Sequence, residues 1–269
     1  MGHIRIACQT YTWEMLGPAW QSRTEDILDW IAESGYAGIE ITNTMIGEFA
    51  DRPEDFREAL RGRGLELAAF AYATTGFTDP AQRKADLLGA ERAIGFLERF
   101  PEPRLALGGA ATSGANRSRR TLDAAIEFYN NVGQLAAERG VLVNVHPHSD
   151  HGSLLETAED YQYLIDRLDT GRVTFGPDTG HIVRGGQNLL ECLRTHLPVI
   201  THIHFKDATA DGRWAPLGEG VCDFAAVLEL LESAGYDGWV VAEEESEEAR
   251  RDGLAAIRKN RAFLRLLGY

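Results

Sequence analysis

The chain has little cysteine: three in 269 residues, Cys8, Cys192 and Cys222, with no two at a CxxC spacing. A disulfide framework is therefore not expected, and a reducing, cytoplasmic compartment is. Basic residues are also few. Lys and Arg number 27 against 41 Asp and Glu, a formal net charge of −14. Nucleic acid and anionic membrane surfaces reward Lys and Arg, so neither is expected as a partner. A locally cationic site, for instance one built around a metal, stays open. No apolar run is long enough to span a bilayer, and residues 1–6 lead straight into a strand with no signal-peptide pattern. Histidine is missing from the first half: apart from His3, none precedes His146.

What is present is an alternation of strand-like and helix-like stretches. Residues 4–10 read as a first strand, ending in the polar-aromatic run Gln9-Thr10-Tyr11-Thr12-Trp13. Residues 23–34 read as an amphipathic helix with Ile27, Leu28 and Ile31 on one side, stopped by Gly35. Further strands are expected at 37–42, 65–72, 104–107, 141–147, 172–175, 199–206 and 239–243. Further helices are expected from Pro53 to the pair Gly62 and Gly64, and at 80–100, 117–139, 156–168, 188–196, 224–234 and 247–267. No Pro/Ser-rich linker and no change of composition interrupts them. Alternating β and α elements imply a parallel sheet, and eight pairs in 269 residues imply that it closes. The expected fold is α/β, a single (β/α)8 TIM barrel over residues 1–269. An open doubly wound sheet would want a glycine-rich phosphate loop after the first strand. Thr10-Tyr11-Thr12-Trp13 stands there instead.

In such a barrel the chemistry lies at the C-terminal ends of the strands. The run Val141-Leu142-Val143-Asn144-Val145-His146-Pro147-His148 begins as a buried, β-branched strand and turns into imidazoles. Asn144, His146 and His148 alternate onto one face. Several histidines on one face of a buried strand are costly as core, and a metal or a substrate explains them better. Strand six ends at Asp178, strand seven at His204 and Lys206, and strand eight at Glu243. Taken singly, a strand-end Asp is a helix cap and a lone His a hydrogen-bonded structural residue. Taken together, His146, Asp178, His204 and Glu243 suit one divalent ion among Mn, Co, Zn, Fe and Mg, with Mn or Co favoured.

These residues reach a family. The segments HPHSDHGSLLET (146–157), PDTGHI (177–182), HIHFKD (202–207), LGEGVCDF (217–224) and GYDGWVVAEEE (235–245) form an ordered set. The set resembles the xylose-isomerase-like TIM barrels, the sugar isomerase/epimerase superfamily, and is closest to the inosose dehydratase branch. The resemblance implies one metal held by Glu, Asp, His and Glu from strands five to eight. Asp178, His204 and Glu243 match three of these positions, whereas strand five carries His146 where Glu is commonest. A metal-bound imidazole is a poorer base than a carboxylate. His148 and Glu156 are therefore the other candidates for the strand-five ligand or base. The chemistry implied is proton abstraction next to a carbonyl, with the metal stabilising the enediolate. Glu243 is the acid/base on one side, and His146, His148 or Glu156 on the other. His181 resembles a family histidine that hydrogen-bonds a substrate oxygen. Lys206 suits polarising an oxygen or holding an anionic group.

Other residues carry two readings each. Glu40, ending strand two, would bind substrate hydroxyls, orient a metal ligand or form a salt bridge inside the barrel. His202 shares the face of His204 and is expected deeper. Trp13, with Tyr11 and Trp20, would line a sugar ring or pack the first loop. Arg213, next to Trp214, would reach a substrate oxygen or stay solvated. Glu244 is expected to face the helices, His151 and His196 the surface, and Gly108-Gly109-Ala110 a simple loop. The first functional reading is a metal-dependent isomerase or epimerase of a small keto-sugar or cyclitol. The second is an inosose-dehydratase-type lyase, eliminating from a keto-cyclitol or 3-keto-glycoside, which HPH and GYDGW favour. The third is a non-catalytic sugar-binding barrel, left open by His146. An AP endonuclease on the same barrel would need extra histidines after strands two and three, and residues 4–145 contain none. The expected partner is a small sugar or cyclitol, and the expected assembly a homodimer or homotetramer.

Overall fold

A computed structural model describes residues 3–73, 80–108, 117–149 and 153–269. Gly109, Ala110 and His151 lie outside the described residues. The first half runs β1 (Ile4–Gln9), α1 (Tyr11–Glu14), α2 (Thr24–Ser34), β2 (Gly38–Thr42), α3 (Pro53–Gly62), β3 (Glu66–Tyr72), α4 (Pro80–Leu97), β4 (Arg104–Gly108) and α5 (Arg119–Ala137). The second half runs β5 (Leu142–His146), α6 (Ala158–Ile165), β6 (Val173–Phe175), α7 (Thr179–Arg184), α8 (Leu189–His196), β7 (Ile203–Phe205), β8 (Asp207–Ala208), β9 (Trp214–Ala215), α9 (Phe224–Ser233), β10 (Gly238–Ala242), α10 (Glu247–Arg251) and α11 (Gly253–Leu266).

Eight parallel strands form one sheet in the order β6-β5-β4-β3-β2-β1-β10-β7. Two parallel bridges, Phe175–Ile200 and Asp178–His204, join its outer members and close the ring. The backbone bonds at this joint run from Thr201 N–H to Phe175 O (3.4 Å) and from His204 N–H to Pro177 O (2.9 Å). Strands such as β2 and β10 are buried at every residue, as expected where helices cover one face of a parallel sheet and the barrel interior the other.

Local chemistry fixes where the helices begin. Thr157 and Asp160 form a reciprocal capping box on α6. Asn188, Asp223 and Asp252 cap α8, α9 and α11 through their side chains. Pro53 occupies the first turn of α3. Between helices and sheet lies an apolar layer that includes Phe56, Phe96 and Phe100. Inside the ring, Ala7, Ala68, Trp239 and Val241 fill the lower part, and polar residues replace them towards the C-terminal ends of the strands.

Three details depart from the sequence reading. The terminal segment is two helices, because Asp252 is extended and starts a new one. Gly253 then lies so close to the first loop that an added Cβ would stand 3.1 Å from both Thr12 Cγ2 and Trp13 Nε1. Strand seven is shorter than expected. A small antiparallel ladder, β8 with β9, follows it. Among the described residues no helix is long and apolar enough to cross a membrane.

Candidate functional site

β5 alternates Val143, Val145 and the buried pair Asn144 and His146, so His146 turns into the ring. Its Nδ1–H donates to Gly176 O at 3.1 Å. A carbonyl only accepts, so the lone pair is on Nε2. That Nε2 is buried without a hydrogen-bond partner among the described residues and lies 3.9 Å from Glu243 Oε2. Asp178 caps α7: its Oδ1 accepts from His181 N–H at 2.8 Å. Its Oδ2 is the second buried atom here without a partner. The cap reading and the ligand reading of Asp178 thus use different oxygens. His204 and Glu243 complete the group, with His204 Nδ1–H donating to Glu243 Oε2 at 2.6 Å. One donor atom from each of His146, Asp178, His204 and Glu243 lies within 4.8 Å of all the others, and all four residues are buried.

Buried polar atoms are normally paired, and here two point at one centre beside two further donors. Two imidazoles and two carboxylates suit a divalent ion of borderline character, so the residues present fit a metal.

The electrostatics follow from burial and close charges. His204 lies between two carboxylates, since its Nε2–H donates to Glu40 at 3.1 Å. Burial alone would lower its pKa, but Glu40 and Glu243 push it up to about 10. Burial likewise opposes the Glu40 charge, yet His204 and His202 hold that carboxyl well below its usual range. His146 and His181 are held neutral, first by burial and then by neighbouring cationic groups. Asp178 is pushed up to about 7 by burial and by Glu243, against Lys206 and His204.

Above this group lies a second ring of polar groups. Lys206, fully buried, donates to Glu243 Oε1 at 3.0 Å and to Glu245 Oε1, and it stands 4.1 Å from the centre of the Trp214 ring. Burial would lower its pKa, but the carboxylates of Glu243 and Glu245 raise it instead. His181 Nδ1 accepts from Ser149 N–H at 2.7 Å, which puts the ring proton on Nε2, 3.4 Å from Lys206 Nζ. His148 is half-buried, edge-on to both His146 (4.5 Å) and His181 (4.9 Å). Gly180 lets α7 start against this wall: a Cβ there would stand 3.0 Å from Trp214 and 3.1 Å from Lys206 O.

The other expected site residues lie elsewhere. Glu156 pairs with Arg117 at 3.4 Å. Trp13 is buried in the first loop against Trp30, which takes its face from any ligand. Arg213 is exposed and pairs with Asp211. Glu40 is enclosed on the floor beneath His204. His202 is deeper, 2.6 Å from Glu40 Oε2. Glu244 faces the helices and accepts from Asn260 Nδ2. His196, expected at the surface, is buried edge-on against Phe175. Sequence reasoning put Glu245 on the face of Glu243 but gave no site role to it, to Trp214 or to Ser149.

A family profile described as xylose isomerase-like TIM barrel matches residues 28–267. The chain belongs to that family. Within curated proteins it is similar to the inosose dehydratase of Geobacillus thermodenitrificans, 27% identical over 271 residues, covering 90% of this chain and 88% of that one. Among solved structures it is similar to the apo 3-keto-D-glucoside 4-epimerase of E. coli, with a TM-score of 0.77 and 22% identity, covering 98% of this chain and 100% of that one. A xylose isomerase-like TIM barrel protein of Mycobacterium smegmatis, solved in complex with magnesium, gives a TM-score of 0.75 at 19% identity, covering 98% of this chain and 96% of that one.

Proposed function

We propose that this chain is a divalent-metal-dependent dehydratase of a small keto-cyclitol or keto-sugar, working by proton abstraction next to a carbonyl. The observation that carries the reading is the pair of partnerless buried atoms, His146 Nε2 and Asp178 Oδ2, facing one centre beside Glu243. His146, Asp178, His204 and Glu243 would hold the ion, whose chemistry is to stabilise negative charge on a substrate oxygen. Manganese or cobalt is favoured, and the magnesium of the Mycobacterium smegmatis protein makes that ion a necessary comparison.

Glu243 is the proton acceptor, as the family resemblance implies, with its carboxylate among the four donors of the group. Lys206, 3.0 Å from Glu243 Oε1, carries a fixed positive charge that favours the ionised carboxylate and attracts a substrate oxygen. His181 offers Nε2–H to a second oxygen. His148 is the half-buried imidazole of the group and is placed to give a proton to a departing hydroxyl. The dehydratase is preferred because the HPH and GYDGW segments favour that branch and the curated relative is an inosose dehydratase. The second reading, an isomerase or epimerase, follows if His148 returns the proton to carbon instead.

Incubating metal-loaded protein with inososes and 3-keto-glycosides in deuterated water separates the two. A dehydratase gives a product lighter by one water. An epimerase or isomerase keeps the substrate's formula and takes up solvent deuterium. Protein that binds no divalent metal, or that neither dehydrates nor labels any member of the panel, would refute the proposal.

A further inference from the structure

Glu40 comes from β2 and meets residues of β7, with β1 and β10 between those strands in the ring, so its side chain crosses the barrel interior. A charged group fully enclosed at that depth is costly unless every lone pair is used. They are used here. Gln9 Nε2 donates to Oε1 at 2.5 Å. His202 Nε2 lies 2.6 Å from Oε2, and His204 Nε2–H donates at 3.1 Å. Gln9 is itself fixed, because its Oε1 accepts from Thr10 N–H at 2.6 Å, which leaves only its NH2 to face Glu40. No edge of the carboxylate is left for a substrate.

We infer that Glu40 is a positioning residue that aims His204 at the metal; this rests on the metal reading above. The His204 ring has two nitrogens and two neighbours. Nδ1 faces Glu243, on the side of the four donors, and Nε2 faces Glu40. With Glu40 accepting from Nε2–H, Nδ1 is the nitrogen that would give up its proton, now shared with Glu243, to take a metal, and the ring plane is held between the two sides. Carboxylate–histidine–metal chains of this kind set tautomer and ring angle in metal sites. The same carboxylate holds His202, just before β7, so one acid organises two imidazoles. An amide in its place has one oxygen for three donors, and its own NH2 would meet a donor.

The alternative occupant of this place is a second ion, because Glu40, His202 and His204 also bring donor atoms within 4.8 Å of one another. The Gln9 hydrogen bond and the two imidazole contacts already occupy the carboxylate, which favours the positioning role.

The test is metal affinity of the whole chain. Chelator-stripped wild type, Glu40→Gln, His204→Asn and the double variant are titrated with Mn(II), free manganese being read by electron paramagnetic resonance. Glu40→Gln is expected to bind one equivalent about 10- to 100-fold more weakly than wild type. The double variant is expected to bind no more weakly than His204→Asn alone, since Glu40 acts through that ring. Unchanged affinity in Glu40→Gln, additive losses in the double variant, or two equivalents bound by wild type would overturn the inference. Wild type that takes up no Mn(II), Co(II) or Zn(II) would refute the proposed function itself and the inference with it. Thr201→Val, which removes the Arg104 contact on the floor, is the control for general loosening and should leave affinity within twofold. If Glu40→Gln does not fold, zinc-loaded wild type labelled at histidine nitrogen answers by NMR. A slowly exchanging proton on His204 Nε2 supports the assignment, and a metal-bonded Nε2 overturns it.

Discussion

The buried ammonium of Lys206 is the residue on which the charge balance of the site turns. The chain has only Lys84, Lys206 and Lys259, and the second of these is enclosed between Glu243 and Glu245. Removing one member of a buried ion pair leaves the other charges uncompensated, which typically costs about 3–5 kcal/mol. Lys206→Met should lower the unfolding free energy by about that amount in denaturant titrations of metal-free protein. Adding Glu245→Gln should recover part of the loss, because one of the two stranded carboxylates is then neutral. A Lys206→Met chain as stable as wild type would mean that the ammonium does not offset its own burial. At this scale much was legible in sequence. Strand alternation alone brought His146, His148, His202, His204 and Lys206 to the right faces. What was not legible was who faces whom across the barrel. Glu40 and His202 are 162 residues apart, and no local pattern links them. Trp13 and Arg213 carried two readings each because aromatic and cationic side chains near strand ends serve packing and solvent as readily as ligands.

At the scale of elements, the alternation was readable because each unit is punctuated by its own chemistry, such as Pro53 in α3, Thr157 before α6, and Asn188 before α8. α7 was hidden by its brevity, although a helix cap was one of the two readings of the Asp178 that starts it. The break between α10 and α11 was hidden by continuing charge patterning, although Asp252-Gly253 is a stop-and-cap signal. That break has a measurable cause. Replacing glycine by alanine within a helix usually stabilises by up to about 1 kcal/mol. At Gly253 the new methyl would crowd Thr12 and Trp13 at 3.1 Å, and overpacking costs about 1–3 kcal/mol. Crowding should win, so Gly253→Ala is expected to lower the chemical denaturation midpoint. A raised midpoint would show that the first loop gives way freely.

At the scale of the molecule, stability and metal are coupled. A ligand that binds only the folded state adds about 2.7 kcal/mol at a hundred times its Kd. For chains of about 250 residues each kcal/mol moves Tm by about 2–4 °C. Saturating Mn(II) is therefore expected to raise Tm by about 5–10 °C in differential scanning calorimetry, and a chelator to reverse it. A Tm indifferent to divalent ions would contradict the assignment of the four ligands. The joint between β6 and β7 gives this coupling a particular form. Every other neighbouring pair in the ring shares a strand ladder, whereas this one is closed by two isolated bridges, one of them Asp178–His204. An ion on those two residues would act as a rivet across the last seam. Once it is drawn out, local opening is easiest there, and the ring becomes a sheet with two bare margins. Bare strand margins recruit other chains, so prolonged chelation should end in self-association, visible by light scattering, well before the helices melt.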